Sequence, residues 1–512
     1  MKPVRLLSGI LTVGGWTLLS RLLGFVRDVL IASYIGPGPV MDAFVAAFRL
    51  PNMFRRFFAE GAFNAAFVPM FSKRLESKNN PMGFAALSCS GLSLILLALT
   101  GLSMIFMPAL VYATAEGFAG DERFDLTVEF GRIVFPYIFF ISLAALFSGM
   151  LNAAGHFAAA AAAPLILNVF LISAMTFAAL TGGAVVQALV WTIPIAGLAQ
   201  LALVWHASRR AGMHLPLVRP RWTPEMAQLV RIAVPAALAG GVVQINLVVG
   251  QLVASNTEKA VSWLYSADRL YQLPLGVVGI AVGIVLLPDL SRRLKAQDDT
   301  GARLALSRAG EIALALTIPC AVALIVIPIQ LVSVLFERGA FNVDDSAATA
   351  LAVAIYGLGL PAFVLQKILQ PLFFAREDTR SPFRYALMAM VVNAVLAVGL
   401  AYVLGWISAA IATTVAAWVM VVQLSGGARK FGDVARFDPQ FHRRLWRICL
   451  ASALMGAVLW GAGAVMGPLF AASGWRWVAL LMLIAIGTLA YGLFGQMLGA
   501  FRLQEIRGRL RR

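Results

Sequence analysis

Two arginines and an aspartate lie in the middle of the first apolar segment of this chain. The stretch "SRLLGFVRD", Ser20 to Asp28, follows "GILTVGGWTLL" and precedes "VLIASYIG". An apolar run of about 20 residues is long enough to cross a bilayer. A charge at the bilayer centre costs roughly 2.5–3.5 kcal/mol on insertion scales, so charges placed there are expected to have a function. Arg21 and Asp28 are seven residues apart and therefore share one face of a helix.

Further charged residues lie inside or at the edges of other apolar segments. They are Asp42, Arg49, Arg55, Arg56 and Glu60 in the first half, and Asp268, Arg269 and Lys367 in the second. A buried ion pair would account for several of them singly, and a position beside water would account for Lys367. As a set they hold more arginines than carboxylates, and arginines without a counter-charge are too costly against lipid. We therefore expect the arginines to line a hydrated cavity.

Arginine is suited to binding an anion inside such a cavity. Its planar guanidinium group stays charged and offers paired donors to carboxylate or phosphate oxygens. Arg21, Arg27 and Arg55 of the first half, facing Arg269 of the second, would suit a phosphate or diphosphate group. These four arginines are the predicted substrate-binding residues.

Three common nucleotide-binding or catalytic motifs are missing from the sequence. It holds no GxxxxGK[ST] motif for ATP, no HExxH zinc motif and no GxSxG nucleophile motif. The four histidines are scattered, and the three cysteines lie far apart in apolar stretches, so we expect no metal site. We predict a transporter rather than an enzyme, with no cofactor. A coupling cation, the membrane potential or consumption of the substrate would supply its energy.

The composition is typical of a membrane protein with many spans. The 512 residues are 60% hydrophobic and 13% charged, with a mean hydropathy of +0.84. A soluble domain is nearer half apolar and a quarter charged. The formal net charge is +17, which in a soluble protein would suggest nucleic acid as a partner. Here we attribute it to cytoplasmic loops and expect no nucleic acid.

Apolar runs between glycine, proline and charge clusters predict about fourteen membrane-spanning helices. Their approximate bounds are 9–36, 43–72, 83–112, 126–153, 160–181, 184–208, 226–255, 260–291, 305–336, 346–375, 383–404, 406–427, 445–467 and 475–500. With a cytoplasmic N-terminus, the inside loops hold most of the 41 basic residues, while the outside loops "AEGFAGDERFD", "NTEKA" and "ERGAFNVDD" are acidic. This positive-inside pattern predicts that both termini are cytoplasmic.

Repeated elements indicate two homologous halves. "VPMFSKRL" (68–75) matches "LPDLSRRL" (287–294), and Pro136 and Asn168 recur at a similar offset as Pro361 and Asn393. Six helices in each half give both the same orientation, and transporters with such repeats bind substrate between the halves. The predicted domains are a six-helix lobe over 1–208, a cytoplasmic linker over 209–225, a second lobe over 226–430, and two further helices with a basic tail over 431–512.

Four segments carry a resemblance to a known family: "SRLLGFVRD", "MDAFVAAFRLPNMFRRFFAEGAFNAAFVP", "VSWLYSADRLYQLPLGVVGIAVGIVLLPDLS" and "REDTRSP". They resemble the MurJ (MviN) family of bacterial lipid II flippases, a branch of the MOP exporter superfamily, and the resemblance spans essentially the whole chain. It implies an all-α integral membrane protein with about 14 transmembrane helices. Two pseudo-symmetric six-helix lobes would surround a cationic cavity, and two C-terminal helices would border a groove for a polyprenyl tail.

The resemblance also implies a function and residue roles. The protein would move undecaprenyl-diphosphate-linked peptidoglycan precursor, lipid II, from the inner to the outer leaflet of the bacterial cytoplasmic (inner) membrane by alternating access. Membrane lipids and the cell-wall synthesis machinery are further candidate partners. The family's functional arginines correspond to Arg21, Arg27, Arg55 and Arg269. The accompanying polar or gate positions are Ser20, Asp28, Asp42, Arg56, Glu60 and Ser262.

Three other functions stay open on the sequence alone. A flippase for another polyprenyl-diphosphate-linked glycan would use the same diphosphate chemistry. A multidrug or cation exporter of the same superfamily would need acidic cavity residues, whereas this set is mainly basic. A scaffold for wall synthesis that transports nothing would tolerate replacement of the cavity arginines.

Overall fold

The chain folds into helices. The computed structural model describes residues 6–55, 62–216, 218–472 and 474–500, and these ranges contain α-helices, short 3₁₀ turns and loops but no strand. The predicted all-α class is confirmed.

The first ten α-helices are α1 Leu6–Tyr34, α2 Pro39–Arg55, α3 Ala62–Glu76, α4 Pro81–Ile105, α5 Met107–Thr114, α6 Glu122–Val134, α7 Tyr137–Ala153, α8 Phe157–Thr181, α9 Val185–Arg210 and α10 Pro224–Ser255. The others are α11 Ala260–Lys295, α12 Asp299–Val326, α13 Pro328–Phe336, α14 Val343–Phe374, α15 Arg380–Leu404, α16 Ser408–Ala428, α17 Pro439–Val465, α18 Gly467–Ala471 and α19 Arg476–Met497.

Nine segments of the described chain are long and apolar enough to cross a membrane. They are Pro81–Ile105, Glu122–Ala153, Phe157–Thr181, Val185–Arg210, Asp299–Val326, Val343–Phe374, Arg380–Ala435, Pro439–Val465 and Arg476–Met497. Large apolar side chains on these segments are exposed, such as Leu180 at 83% and Val403 at 82%. Apolar surface of this kind is suited to lipid rather than water. The protein is therefore a multi-pass membrane protein, and the total of fourteen spans stays a prediction.

Prolines divide three of the predicted spans. The breaks fall between α4 and α5 beside Pro108, between α6 and α7 at Pro136, and between α12 and α13 beside Pro328. Proline has no N–H to donate, so it fits the first turn of a new helix better than the interior of a continuing one. Apolar runs alone did not reveal these breaks.

The helices form two compact units, Met1–Ser262 and Trp263–Arg512. In the first unit α1 packs on α8, α2 on α6, α7 on α9 and α10 on α3. In the second unit α14 packs on α12 and α16, while α17 packs on α12 and α19. The sequence assigned α10 to the second lobe, and those lobe limits stay a prediction.

A row of phenylalanines anchors the hairpin of α3 and α4 in the first unit. Phe63, Phe67 and Phe71 stack at four-residue spacing, with ring centroids 5.4 and 5.5 Å apart, and Phe84 stacks on Phe67 at 5.7 Å. All four rings are buried. Residues four apart lie on one helix face, so the row holds α4 firmly against α3.

Candidate functional site

Arg27 on α1 is held by Asp28 and Asn168, among its contacts. Its Nε and Nη2 atoms donate to Asp28 Oδ1 at 3.0 and 2.7 Å, and its Nη1 atom donates to Asn168 Oδ1 on α8 at 2.9 Å. The side chains of Arg27 and Asp28 are only 11% and 4% exposed. A buried charge needs both a counter-ion and hydrogen bonds, and this arginine has both.

Asn168 connects the same cluster to Ser20. Its Nδ2 atom donates to the backbone oxygen of Ser20 at 2.9 Å and to the Ser20 hydroxyl at 3.4 Å. Ser20, Gly24 and Arg27 follow one another at helical spacing, so they share the face of α1 that packs on α8. Gly24 presents no side chain at the point nearest to Asn168.

The structure therefore brings together the predicted residues Ser20, Arg27 and Asp28. In this arrangement Asp28 is the counter-ion of Arg27. Sequence reasoning missed Asn168 as a site residue and noted it only as a marker of the repeat. The available signal was a lone amide in the apolar run "PLILNVF".

Arg21 and Arg55 lie differently from Arg27. Arg21 is exposed on α1, and no other residue of the described chain makes an ion pair or hydrogen bond with its side chain. Arg55 is half-buried at the end of α2, where its Nε atom donates to Asn52 Oδ1 at 3.2 Å. Arg49, one of the charged residues in the same helix, donates to the backbone oxygen of Leu247 on α10 at 3.3 Å.

A second cluster surrounds Asp42, near the start of α2. This side chain is fully buried and accepts hydrogen bonds from the backbone N–H of Lys259 at 2.8 Å and from the backbone N–H and hydroxyl of Ser262. The Arg123 guanidinium lies 3.6 Å from Asp42 Oδ2, the oxygen that also accepts from Lys259. The predicted polar positions Asp42 and Ser262 thus meet directly, and Asp42 binds the first turn of α11.

Arg123 is a further residue that sequence reasoning missed. It forms an ion pair with Asp121 at 2.6 Å and stacks on Phe118 at 4.5 Å, in addition to its contact with Asp42. The signal was available, because Arg123 is the single basic residue in the acidic loop "AEGFAGDERFD".

In the second unit, Arg269 stacks on the ring of Tyr265, with its guanidinium carbon 4.3 Å from the ring centroid. Its neighbour Asp268 accepts a hydrogen bond from Gln272, one helical turn further along α11. Lys367 is exposed on α14. The predicted positions Arg56 and Glu60 lie outside the described residues.

The arginines of the first unit give this arrangement the chemistry of an anion-binding site. In the described ranges no group of three or more His, Cys, Asp or Glu residues could hold a metal ion. The first unit instead presents one arginine that is fixed in place, Arg27, and one that is exposed on the same helix, Arg21. An anion binding to Arg27 would share it with Asp28, so the carboxylate tunes how strongly that arginine attracts a ligand.

Known proteins match this chain along nearly its whole length. A family model described as lipid II flippase MurJ matches residues 31–485. The probable lipid II flippase MurJ of Rhizobium tropici is 44% identical, over 99% of this chain and 97% of that relative.

Two solved structures are similar in fold. A lipid II flippase MurJ in an inward closed conformation is 27% identical and has a TM-score of 0.80, covering 95% of this chain and 98% of its own. An inward-facing multidrug resistance MATE family transporter of the MOP superfamily is 15% identical with a TM-score of 0.68, covering 81% of this chain and 95% of its own. The second likeness concerns the fold alone, and together they confirm the MOP-exporter fold.

Proposed function

The chain belongs to the MurJ family of lipid II flippases, and we propose that it moves lipid II from the inner to the outer leaflet of the bacterial cytoplasmic membrane by alternating access. The observation that carries this proposal is the way α1 holds its arginines. Arg27 is fixed by Asp28 and Asn168, while Arg21 is exposed on the same helix. Arg27 already has a carboxylate partner, whereas a cation without one is costly against lipid, so Arg21 is expected beside water, where an anionic ligand could bind it.

The proposed ligand group is the diphosphate of lipid II. Arg21, Arg27, Arg55 and Arg269 would bind its oxygens, because the guanidinium fork matches phosphate geometry in a way that lysine does not. Release on the far side requires weaker binding there, so opening outward would separate Arg269 from the first-half arginines. The polyprenyl tail would stay in lipid, along the groove beside α17 and α19.

Asp42 and Ser262 would control where α11 begins. Asp42 accepts hydrogen bonds from Lys259 and Ser262, and Arg269 follows Ser262 by seven residues on the same helix. Two turns of helix make a rigid connection. A shift of Ser262 relative to Asp42 would therefore move Arg269 as well. We propose that the contact between Asp42 and Ser262 is the gate.

The energy source and orientation form part of the same proposal. With both termini cytoplasmic and the interior negative, the membrane potential favours outward movement of an anion by about 2.3 kcal/mol per charge per 100 mV. A coupling cation would serve as well. Single cysteines at Ser77 and Ala119, tested with a membrane-impermeant thiol reagent, should label only from the inside and only from the outside, respectively.

The test of the function is complementation of a bacterium depleted of its own lipid II flippase, combined with an assay of lipid II exposure in the outer leaflet. Wild type should restore growth and exposure, whereas Arg27→Ala should insert normally and restore neither. Arg210→Ala, which removes an exposed arginine at the end of α9, is the charge-matched control and should behave as wild type. Full activity of Arg27→Ala would refute the assignment. Movement of a different polyprenyl-diphosphate glycan, with lipid II left behind, would refute the substrate.

A further inference from the structure

A basic pocket of about 430 Å³ lies in the first unit, and none of the predicted flipping residues lines it. Its walls come from the end of α3, the start of α4 and the segment that leads into α10. Three arginines, Arg74, Arg219 and Arg221, and one carboxylate, Glu225, provide its charges. Phe84 and Leu87 add apolar surface. The pocket therefore combines an excess of positive charge with apolar lining residues.

One of the three arginines is held by neighbouring side chains, and the other two are exposed. Arg74 lies 3.6 Å from Glu225 and stacks on the Phe84 ring at 4.8 Å. Arg219 and Arg221 are exposed, and within the described ranges no carboxylate forms an ion pair with either. The backbone N–H of Glu225 and the Thr223 hydroxyl lower the pKa of the Glu225 carboxyl, so it is ionised at neutral pH. Three cations facing one anion leave room for a ligand with negative charge.

Phosphate is the anion that this arrangement fits best. Guanidinium groups bind phosphate oxygens through paired, charge-assisted hydrogen bonds. The N-terminus of α4 also favours an anion, because it carries a partial positive charge and this helix begins at Pro81 beside the pocket. Leu87, which is half-buried, would not be needed for a free phosphate ion, but it would contact the glycerol or first methylenes of a lipid.

The pocket is expected near the membrane surface, where lipid phosphates are found. α4 is one of the nine segments long enough to span a membrane, so its first turn belongs near the membrane surface. Trp222, directly after Arg221, is 75% exposed, and Val218 is also exposed. Tryptophan prefers the headgroup region of a bilayer. These features distinguish a lipid ligand from a soluble anion.

We propose that this pocket binds the phosphate of an anionic phospholipid headgroup from the surrounding leaflet. The lipid would tie the segment 218–223, and with it the start of α10, to the α3–α4 hairpin. This site is separate from the diphosphate site of the proposed function and does not depend on which substrate the protein moves.

The test adds phosphatidylglycerol, phosphatidylcholine or inorganic phosphate to the detergent-solubilised full chain. Bound lipid is counted by native mass spectrometry, and the melting temperature is followed, because a ligand that binds the folded state raises it. Phosphatidylglycerol should bind and stabilise more than the other two. Arg219→Gln/Arg221→Gln should weaken this binding by about fivefold per arginine, whereas Glu225→Gln should strengthen it.

The control is Arg384→Gln/Arg429→Gln, which removes the same charge from exposed positions in the second unit. This variant should retain phosphatidylglycerol as wild type does. Equal lipid retention by Arg219→Gln/Arg221→Gln and wild type would overturn the proposal, and so would equal losses in the test and control variants. Stabilisation by inorganic phosphate that matches phosphatidylglycerol would overturn the assignment to a lipid. Because the readout is binding rather than flipping, failure here leaves the proposed function untouched.

Discussion

Asn168 on α8 accepts a hydrogen bond from Arg27 on α1 at 2.9 Å, and its amide nitrogen donates to the backbone oxygen of Ser20 at 2.9 Å. Both functions of the amide are therefore used, and each contact requires the same orientation of the side chain. Arg27 cannot swing away from α8 without breaking a hydrogen bond to a charged group, which contributes about 1.5–3 kcal/mol. Asn168 is in this sense a positioning residue for Arg27.

Replacing Asn168 by leucine should lower lipid II flipping about tenfold, because Arg27 loses a partner worth at least that factor. No charge is removed, so a loss would come from position alone. The measurement is the rate at which lipid II becomes accessible in the outer leaflet, at matched protein levels.

Ser173→Leu is the control for that change, since Ser173 is an exposed polar residue on the same helix. It should leave the rate unchanged. Conservative Asn168→Gln should recover part of the activity if hydrogen bonding to Arg27 is the cause. An Asn168→Leu protein with wild-type flipping would show that Arg27 is positioned without Asn168.

The arginine cluster shows what sequence could and could not predict. Arg27 and Asp28 were recognisable because charged residues in an apolar run are conspicuous, whereas Ser20 was named only through the family resemblance. Asn168 was not, because it is 141 residues from Arg27 in sequence. Only the packing of α8 on α1 brings the two together, and no periodicity within either helix reports that contact.

Asp42→Ala should destabilise the protein by about 1–3 kcal/mol for each buried donor that loses its acceptor. Those donors are the backbone N–H groups of Lys259 and Ser262, whereas Arg123 keeps its ion pair with Asp121. Asp42→Asn, which keeps one acceptor oxygen, should cost less. The loss is measured as a lower apparent melting temperature in detergent.

Asp121 provides the matched comparison, because it pairs with the same arginine but its side chain is 41% exposed. Asp121→Asn should change stability by at most about 1 kcal/mol, because ion pairs at exposed positions rarely contribute more than that. Asparagine also keeps the cap at the start of α6. If Asp121→Asn proved as costly as Asp42→Ala, burial would not be what makes the Asp42 contact strong.

The pH dependence of stability should include a contribution from Asp378, in the loop between α14 and α15. A hydrogen bond from Lys430 at 2.7 Å and hydrogen bonds from Ser381 hold the pKa of this carboxyl at about 2, below its ordinary 3.8. A lowered pKa means that the ionised form stabilises the folded state. This contribution is complete above pH ~4 and disappears as the pH falls through about 2.

Asp378→Asn should accordingly lower the melting temperature at pH 7, and the difference from wild type should shrink as the pH is lowered from 4 towards 2. The effect should be modest and weaker in high salt, because Lys430 is half exposed. Asp433→Asn is the control, since both Asp433 and its partner Arg436 are more than two-thirds exposed. A difference between Asp378→Asn and wild type that grows as the pH falls would contradict the assigned sign.

The presence of several membrane-spanning segments was the easier part to predict, and helix breaks were the harder part. Composition and hydropathy identify apolar segments because lipid demands them over their whole length. They do not report where a helix stops inside such a segment, as at Ile327, where the backbone leaves the helical region just before Pro328. Ion pairs between distant segments are equally hidden, and Glu311 is the clearest case.

Glu311 on α12 binds two arginines at once, one on its own helix and one on α17. Arg308 donates to both carboxylate oxygens at 2.6 and 2.7 Å, and Arg444 donates at 3.1 Å. The carboxylate is 7% exposed, so loss of both arginines would remove both of these counter-charges from a buried carboxylate.

Arg308→Gln and Arg444→Gln should each lower the melting temperature modestly, and the double variant should lower it by more than the sum of the two single effects, because residues in one network couple. Adding Glu311→Gln to the double variant should recover most of the loss, since a neutral amide is cheaper to bury than an unpaired carboxylate. Strict additivity, with no recovery from Glu311→Gln, would mean that α17 is docked on α12 by apolar packing and not by this carboxylate.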